Sequence, residues 1–180
     1  MITGTFRRVA AALLLAAIVA AAGKDAATAS LSASLQDLIM PASPYSHKAQ
    51  TVTGRTVLTV TDTSIAGTGA GWNVTEQASD LAYTGPNNGG SIPASALAIL
   101  SVEAPVASAG SQPADPANGP MVPAVAPVGS LESARKVLQA NAGYGAGTYT
   151  QGITLSLTIP PQSRAGTYTS TITTTVTSGP

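Results

Sequence analysis

The chain has 180 residues, of which 44% are hydrophobic and only 9% charged, and its eight basic and eight acidic side chains cancel. The charged share lies far below the roughly 25% of an ordinary soluble domain, and phosphate recognition needs clustered positive charge, so the composition argues against a nucleic-acid-binding protein. Because cysteine is absent and only one histidine is present, we expect no disulfide, no metal site and no cofactor.

The first residues have the pattern of a secretory signal peptide. Residues 1–8 carry two arginines, and residues 9–22 form an unbroken apolar run. This run of 14 residues is too short for a membrane-spanning helix, which needs about 20 residues. It has the length of a signal-peptide core, so we expect the chain to be exported.

Residues 27–29 (Ala-Thr-Ala) indicate where the signal peptide is removed. Cleavage after Ala29 leaves residues 30–180 as a single domain with five basic and seven acidic side chains. Cleavage after Ala22 and retention of the segment as an anchor are the alternatives. No second apolar run follows, so we expect no membrane contact after cleavage and only noncovalent attachment to a surface.

Alternating apolar and polar residues predict several β-strands in the mature chain. The clearest candidates are residues 56–62, 72–75, 97–102, 153–159 and 167–177. Pro160 and Pro161 end the fourth of these, because proline cannot continue a ladder. The last one has threonine along a whole face, which favours extended structure because branching at Cβ suits the pleat.

Two other segments interrupt the strand pattern. Residues 103–129 are rich in proline and alanine and are predicted to form a long surface loop. Residues 130–142 are predicted to contain a short helix near Leu131–Asn141, because Ser130 can cap it, apolar residues recur at helical spacing, and Gly143 can close it. The predicted fold is therefore an all-β antiparallel β-sandwich of the immunoglobulin-like, Greek-key type with one short helix.

Few residues offer catalytic chemistry. His47 lies in a polar stretch without a nucleophile motif, so we expect it to be exposed and inert. Glu76 and Asp80 are the acidic pair that could serve glycoside hydrolysis. Asp115 lies in a stretch that lacks the ligand series of a calcium loop and is predicted to be a turn. We therefore predict no catalytic residues and no enzyme.

An ordered set of short stretches resembles the WxL domain family. The stretches are Gly71-Trp72-Asn73-Val74, Ile92-Pro93-Ala94, Gly147-Thr148-Tyr149-Thr150, Ile153 to Pro160 and Ala165 to Ile172. The resemblance covers roughly Gln50 to Pro180. It implies a bacterial surface protein that holds noncovalently to the Gram-positive cell wall, through peptidoglycan or a wall polysaccharide, with other surface proteins as further partners. The Ala-rich, Lys-poor composition favours an actinobacterial-type member.

Two tripeptides stand where the family carries its motif. Trp72-Asn73-Val74 replaces Trp-x-Leu, and Leu155-Ser156-Leu157 stands where many members carry a second tryptophan. The resemblance implies that these six residues form the ligand-binding motif. The alternation of the strands predicts instead that Trp72, Val74, Leu155 and Leu157 are mainly buried, whereas the alternative interpretation makes Trp72 an exposed platform for a sugar ring.

Two functions from other classes stay open at this point. A self-associating subunit of a surface layer would use an exposed strand edge to extend a neighbour's sheet. A secreted glycan hydrolase that uses Glu76 or Asp80 is the more remote alternative.

The exported protein is expected to begin at Ser30, because the Ala-Thr-Ala sequence ends at Ala29. The intact mass of protein from the culture supernatant checks this. A mass that includes Met1 would contradict it.

Overall fold

The computed structural model describes the backbone of residues 2–11 and, in full, residues 29–86, 88–125 and 127–180. Its elements are strands, apart from a single turn of 3₁₀-helix at Ala94–Ala96. In chain order the strands are β1 (Ile2–Ala11), β2 (Leu31–Leu35), β3 (Ile39–Ser43), β4 (Gln50–Asp62), β5 (Trp72–Ala78), β6 (Ala82–Thr84), β7 (Leu97–Val102), β8 (Val106–Ala107), β9 (Gly129–Ser130), β10 (Arg135–Ala140), β11 (Gly147–Ile159) and β12 (Gly166–Ser178).

The strands form two six-stranded sheets that enclose one hydrophobic core. The first sheet has the order β10-β5-β12-β1-β3, with β6 also paired to β12. The second has the order β2-β4-β11-β7-β9, with β8 also paired to β11. All of these neighbouring strands pair antiparallel except β1 with β12. The predicted all-β antiparallel sandwich is thereby confirmed.

The long strands bury one face each, as their alternation predicts. On β11 the buried apolar residues include Ile153, Leu155, Leu157 and Ile159, and on β12 the buried residues are Tyr168, Ser170, Ile172, Thr174 and Val176. The threonines between the β12 positions face away from the core and remain partly or fully exposed. Branched side chains on both faces keep these strands extended, and the inner face supplies the hydrophobic stabilisation.

The helix predicted near Leu131–Asn141 is wrong. Arg135–Ala140 is strand β10, which pairs antiparallel with β5. Val137, Leu138 and Ala140 are all fully buried, and a bulge lies within this part of the ladder. Apolar spacing in so short a segment fits either element. The bulge brings two consecutive apolar residues into the interior, which produced the helix-like spacing.

The Pro/Ala-rich segment 103–129 lacks long elements but is tied to the sandwich at several points. β8 pairs with β11, β9 pairs with β7, and Met121 forms a bridge with Gln139. Asp115 closes a turn by accepting a hydrogen bond from the Ala117 amide at 2.8 Å, which confirms the predicted turn. This backbone hydrogen bond is the main cause that lowers the pKa of Asp115.

The predicted signal peptide falls mostly outside the described residues, because residues 12–28 contain most of its apolar core, the alternative cleavage site after Ala22, and the first two residues of the Ala-Thr-Ala sequence. Residues 2–11 form β1, which lies between β12 and β3 in the first sheet. In the part of the chain that the structure describes, no helix is both long and apolar enough to cross a membrane.

Candidate functional site

The apolar residues of the two motif tripeptides lie in the core. Trp72 and Val74 on β5 are 0% exposed, and Leu155 and Leu157 on β11 are each 2% exposed. The alternation of both strands points these side chains to the interior from opposite sheets. The predicted burial is confirmed, and the folded domain does not present Trp72 as a surface platform.

Trp72 packs against a glycine-rich loop at one end of the sandwich. Its indole Nε1 donates a hydrogen bond to the carbonyl oxygen of Gly145 at 3.2 Å, and its ring centroid lies 6.3 Å from that of Tyr149. Gly145 has a φ of +86°, and a Cβ atom there would lie 2.6 Å from the indole nitrogen. Only glycine fits both the backbone angle and the close approach of the indole.

The polar residues of the tripeptides have different surroundings. Asn73 donates a hydrogen bond from Nδ2 to the carbonyl oxygen of Gly179 at 2.8 Å, and the Gly179 amide bonds to the Gly71 carbonyl at 2.9 Å. Asn73 therefore fixes the segment that follows β12 against β5. Ser156 lies on the outer face of β11, opposite Thr53 of β4 in the ladder.

A polar cleft of about 340 Å³ opens beside this loop. Its lining comes from the end of β4 with the turn that follows, from the Pro/Ala-rich segment, and from the start of β11. The lining residues are Thr61, Asp62, Thr63, Ser64, Ala66, Gly110, Gln112, Ala146, Gly147 and Thr148.

Tyr149 forms hydrogen bonds with two of the residues that line the cleft. Its hydroxyl lies 2.6 Å from the carbonyl oxygen of Gln112 and 2.9 Å from that of Ala146, and its ring lies beside Trp72. Burial raises the pKa of the Tyr149 hydroxyl, and the charge of Asp62 raises it further. The motif tryptophan is thus connected to the lining of the cleft through one loop and one tyrosine.

The side chains of the cleft carry hydroxyl, carboxylate and amide groups. Asp62 accepts hydrogen bonds from the Ser64 amide at 2.9 Å and from its hydroxyl at 3.0 Å. Across the cleft lining, the hydroxyls of Thr61 and Thr148 lie 3.1 Å apart. Hydroxyls both donate and accept, and each carboxylate oxygen accepts more than one bond. The volume falls in the range of small-ligand sites.

Sequence reasoning did not find this cleft. Its residues come from three segments separated by dozens of positions, and only the fold brings them together. The available signal was the glycine-rich composition of residues 67–71 and 143–147, which does not show that the two stretches meet. In the structure the Gly67 amide bonds to the Gly143 carbonyl at 3.1 Å.

The acidic pair considered for hydrolysis does not share a cleft. Glu76 is 2% exposed inside the sandwich and accepts the hydrogen bond of the Thr174 hydroxyl, whose oxygen lies 2.8 Å from Oε2. Asp80 is exposed and accepts a hydrogen bond from the Ala94 amide at 2.8 Å. His47 is also exposed, in an edge-on contact with Tyr45.

The buried carboxyl of Glu76 has an altered affinity for its proton. Burial raises its pKa from 4.5 to about 8, and the hydrogen bond from Thr174 opposes that rise. A carboxyl with such a pKa is protonated near neutral pH. A neutral acid is the form that a protein interior tolerates, so Glu76 serves the core as a hydrogen-bonding neutral group.

One comparison with known proteins gives a match. The model of the WxL domain family, described as a surface cell wall-binding domain, matches residues 21–180. No curated protein matches the chain. No solved structure matches it.

Replacing Trp72 with alanine is expected to destabilise the domain by about 3–5 kcal/mol, because the substitution removes a fully buried ring and leaves a cavity. This is a large part of the roughly 5–15 kcal/mol that holds a typical domain together. Retention on purified cell walls should fall because the domain unfolds. The melting temperature and the retention of the same variant check this, and lost retention at an unchanged melting temperature would contradict it.

Replacing Glu76 with glutamine is expected to remove a pH dependence of stability. The folded state keeps the proton up to about pH 8, whereas the unfolded chain loses it near the ordinary pKa. The stabilisation that Glu76 contributes is therefore fully present below about pH 4.5 and is lost as the pH rises toward 8. The loss amounts to roughly 4–5 kcal/mol. Urea unfolding across this pH range should show the decline in the natural chain and a flatter profile in the variant.

Proposed function

The chain belongs to the WxL family of surface cell wall-binding domains, and we propose that it holds noncovalently to the peptidoglycan of the Gram-positive wall through the polar cleft beside Trp72. At the coarser level the protein is a cell-surface protein associated with the wall, and its family is one of binding domains. The removal of residues 1–29 on export and the recruitment of other surface proteins are part of the proposal.

The observation that carries the proposal is the burial of Trp72 against the loop that lines the cleft. A fully buried indole cannot stack on a sugar ring, so a direct contact through the motif would require the core to open. The indole instead fixes Gly145 through a hydrogen bond, and the next two residues, Ala146 and Gly147, line the cleft. We therefore assign Trp72 to positioning the binding site, whereas Leu155, Ser156 and Leu157 lie nearer the other end of β11, opposite residues 52–54 of β4.

The chemistry of the cleft suits a glycan that carries amide groups. Peptidoglycan presents sugar hydroxyls and acetamido groups, which need partners that both donate and accept hydrogen bonds. Asp62 can accept from a sugar hydroxyl, and Thr61, Thr63 and Thr148 can do both. Ligand sites use a small number of placed polar groups for orientation. The side chain of Gln112 holds the lining in place, because it donates a hydrogen bond to the Gly143 carbonyl oxygen at 3.2 Å and accepts one from the Ala146 amide at 3.4 Å.

Filling the cleft is expected to abolish wall retention without unfolding the domain. Ala66 is exposed and lines the cleft, so Ala66→Trp adds a large side chain there without removing a hydrogen bond. We expect at least a tenfold loss of retention on purified walls, about 1.4 kcal/mol or more of binding free energy, at an unchanged melting temperature.

The matched control is Ala49→Trp. Ala49 is also exposed, and it lies just before β4, whose opposite end carries Asp62. This variant should bind like the natural chain. Equal retention of both variants and the natural chain would contradict the cleft as the binding site.

The same assay distinguishes the two wall ligands. Walls from which the attached polysaccharides have been removed should retain the natural chain as well as untreated walls do, because peptidoglycan remains. Loss of retention on the stripped walls would show that a wall polysaccharide is the ligand.

A further inference from the structure

Strand β12 has a strand on each side in the structure. On one side it pairs with β5 and β6, and on the other it pairs with β1. β1 runs parallel to β12 through ten consecutive register pairs, from Ile2 beside Gly166 to Ala11 beside Thr175. The outer side of β1 pairs with β3. This side of β12 therefore accepts a complete additional strand.

The strand that occupies this position lies within the proposed signal peptide. Cleavage after Ala29 removes all of β1 and leaves β12 without that neighbour along residues 166–175. Among the described strands, β3 pairs with β1 alone. It has 5 residues against the 10 of β1, so it is too short to take the place of β1 along the whole edge. The mature domain then carries a row of unpaired backbone N–H and C=O groups along β12.

β12 has none of the sequence features that usually prevent an exposed edge from pairing with another chain. Its 13 residues include no charged residue and no proline, and no bulge interrupts its ladder with β5 or with β1. Natural edge strands are commonly short, charged, bulged or interrupted by proline. A second copy of the chain presents the same uncharged edge, so the two edges meet no like-charge repulsion.

We propose that removal of residues 1–29 lets two copies of the mature chain pair through their β12 strands across a twofold axis. A twofold axis makes the two β12 strands antiparallel, and antiparallel ladders are slightly more stable per residue than parallel ones. The outer-face threonines then form cross-strand Thr–Thr pairs, which are favourable. The two first sheets become one continuous sheet.

This inference goes beyond wall binding and rests on the proposed removal of the signal peptide. No residue of β12 lines the polar cleft. Dimer formation and wall retention can therefore be measured as independent properties, and the failure of one can be told apart from the failure of the other.

Sedimentation of the exported protein over a range of concentrations tests the proposal. We expect a monomer–dimer equilibrium in protein whose intact mass begins at Ser30. The double variant Thr169→Lys/Thr173→Lys places like charges on both edges and should raise the dissociation constant at least about tenfold. A mixture of this variant with Thr169→Glu/Thr173→Glu should restore the dimer, because the charges across the axis are then opposite.

The matched control is Thr53→Lys/Thr158→Lys, which adds the same charges to exposed threonines of the second sheet. It should dimerise like the natural chain. All variants should keep the wall retention of the natural chain, since the cleft is unchanged.

Disulfide formation locates the contact. The chain contains no cysteine, so a single introduced cysteine can form a disulfide only with its copy in the second chain. We replace Thr169, Thr171 or Thr173, because a residue at the twofold axis lies opposite its own copy. We expect at least one of the three variants to oxidise to a covalent dimer and Thr53→Cys to stay monomeric. A monomer at every concentration, a dimer unaffected by the lysine pair, or retention of residues 1–29 in the exported protein would overturn the proposal.

Discussion

The hydrogen bond from the Trp72 indole to the Gly145 carbonyl joins the core of the sandwich to the loop that lines the cleft. The ring lies between the two sheets at 0% exposure, and its one polar atom reaches a loop that has no regular structure of its own. A buried indole N–H without a partner is costly. The loop is therefore held where the donor needs it, and the positions of Ala146, Gly147 and Thr148 in the cleft follow from that.

This constraint explains why a tryptophan deep in the core can mark a binding domain. Its large ring stabilises the packing of β5 against β11, while its nitrogen fixes the conformation of the loop. The close approach requires glycine at position 145, where any Cβ would clash with the indole. The tryptophan and the glycine thus depend on each other, although 73 positions separate them in the sequence.

The sequence was sufficient for the parts of the fold that depend on local periodicity. Residues 153–159 of β11 and 168–176 of β12 alternate so regularly that their buried faces could be predicted residue by residue, and the burial of Trp72 and Val74 followed from the same period. β10 could not be read this way. Val137 and Leu138 are consecutive buried residues in a bulged strand, and a bulge mimics helical spacing. The cleft could not be predicted because it depends on the meeting of two distant turns.

The low charge of the chain connects its fold to its surface properties. With few charged residues available, the outer faces of the strands are kept polar by threonine, which favours the extended backbone as it does so. Threonine hydroxyls keep a sheet face hydrated without charge repulsion between two such faces. Lysine or glutamate would also keep the face hydrated, but two faces of the same charge would repel each other. A chain built in this way obtains stable strands from its composition, and the edge strand β12 carries no charged residue. In the chain that retains residues 1–29, β1 covers this edge.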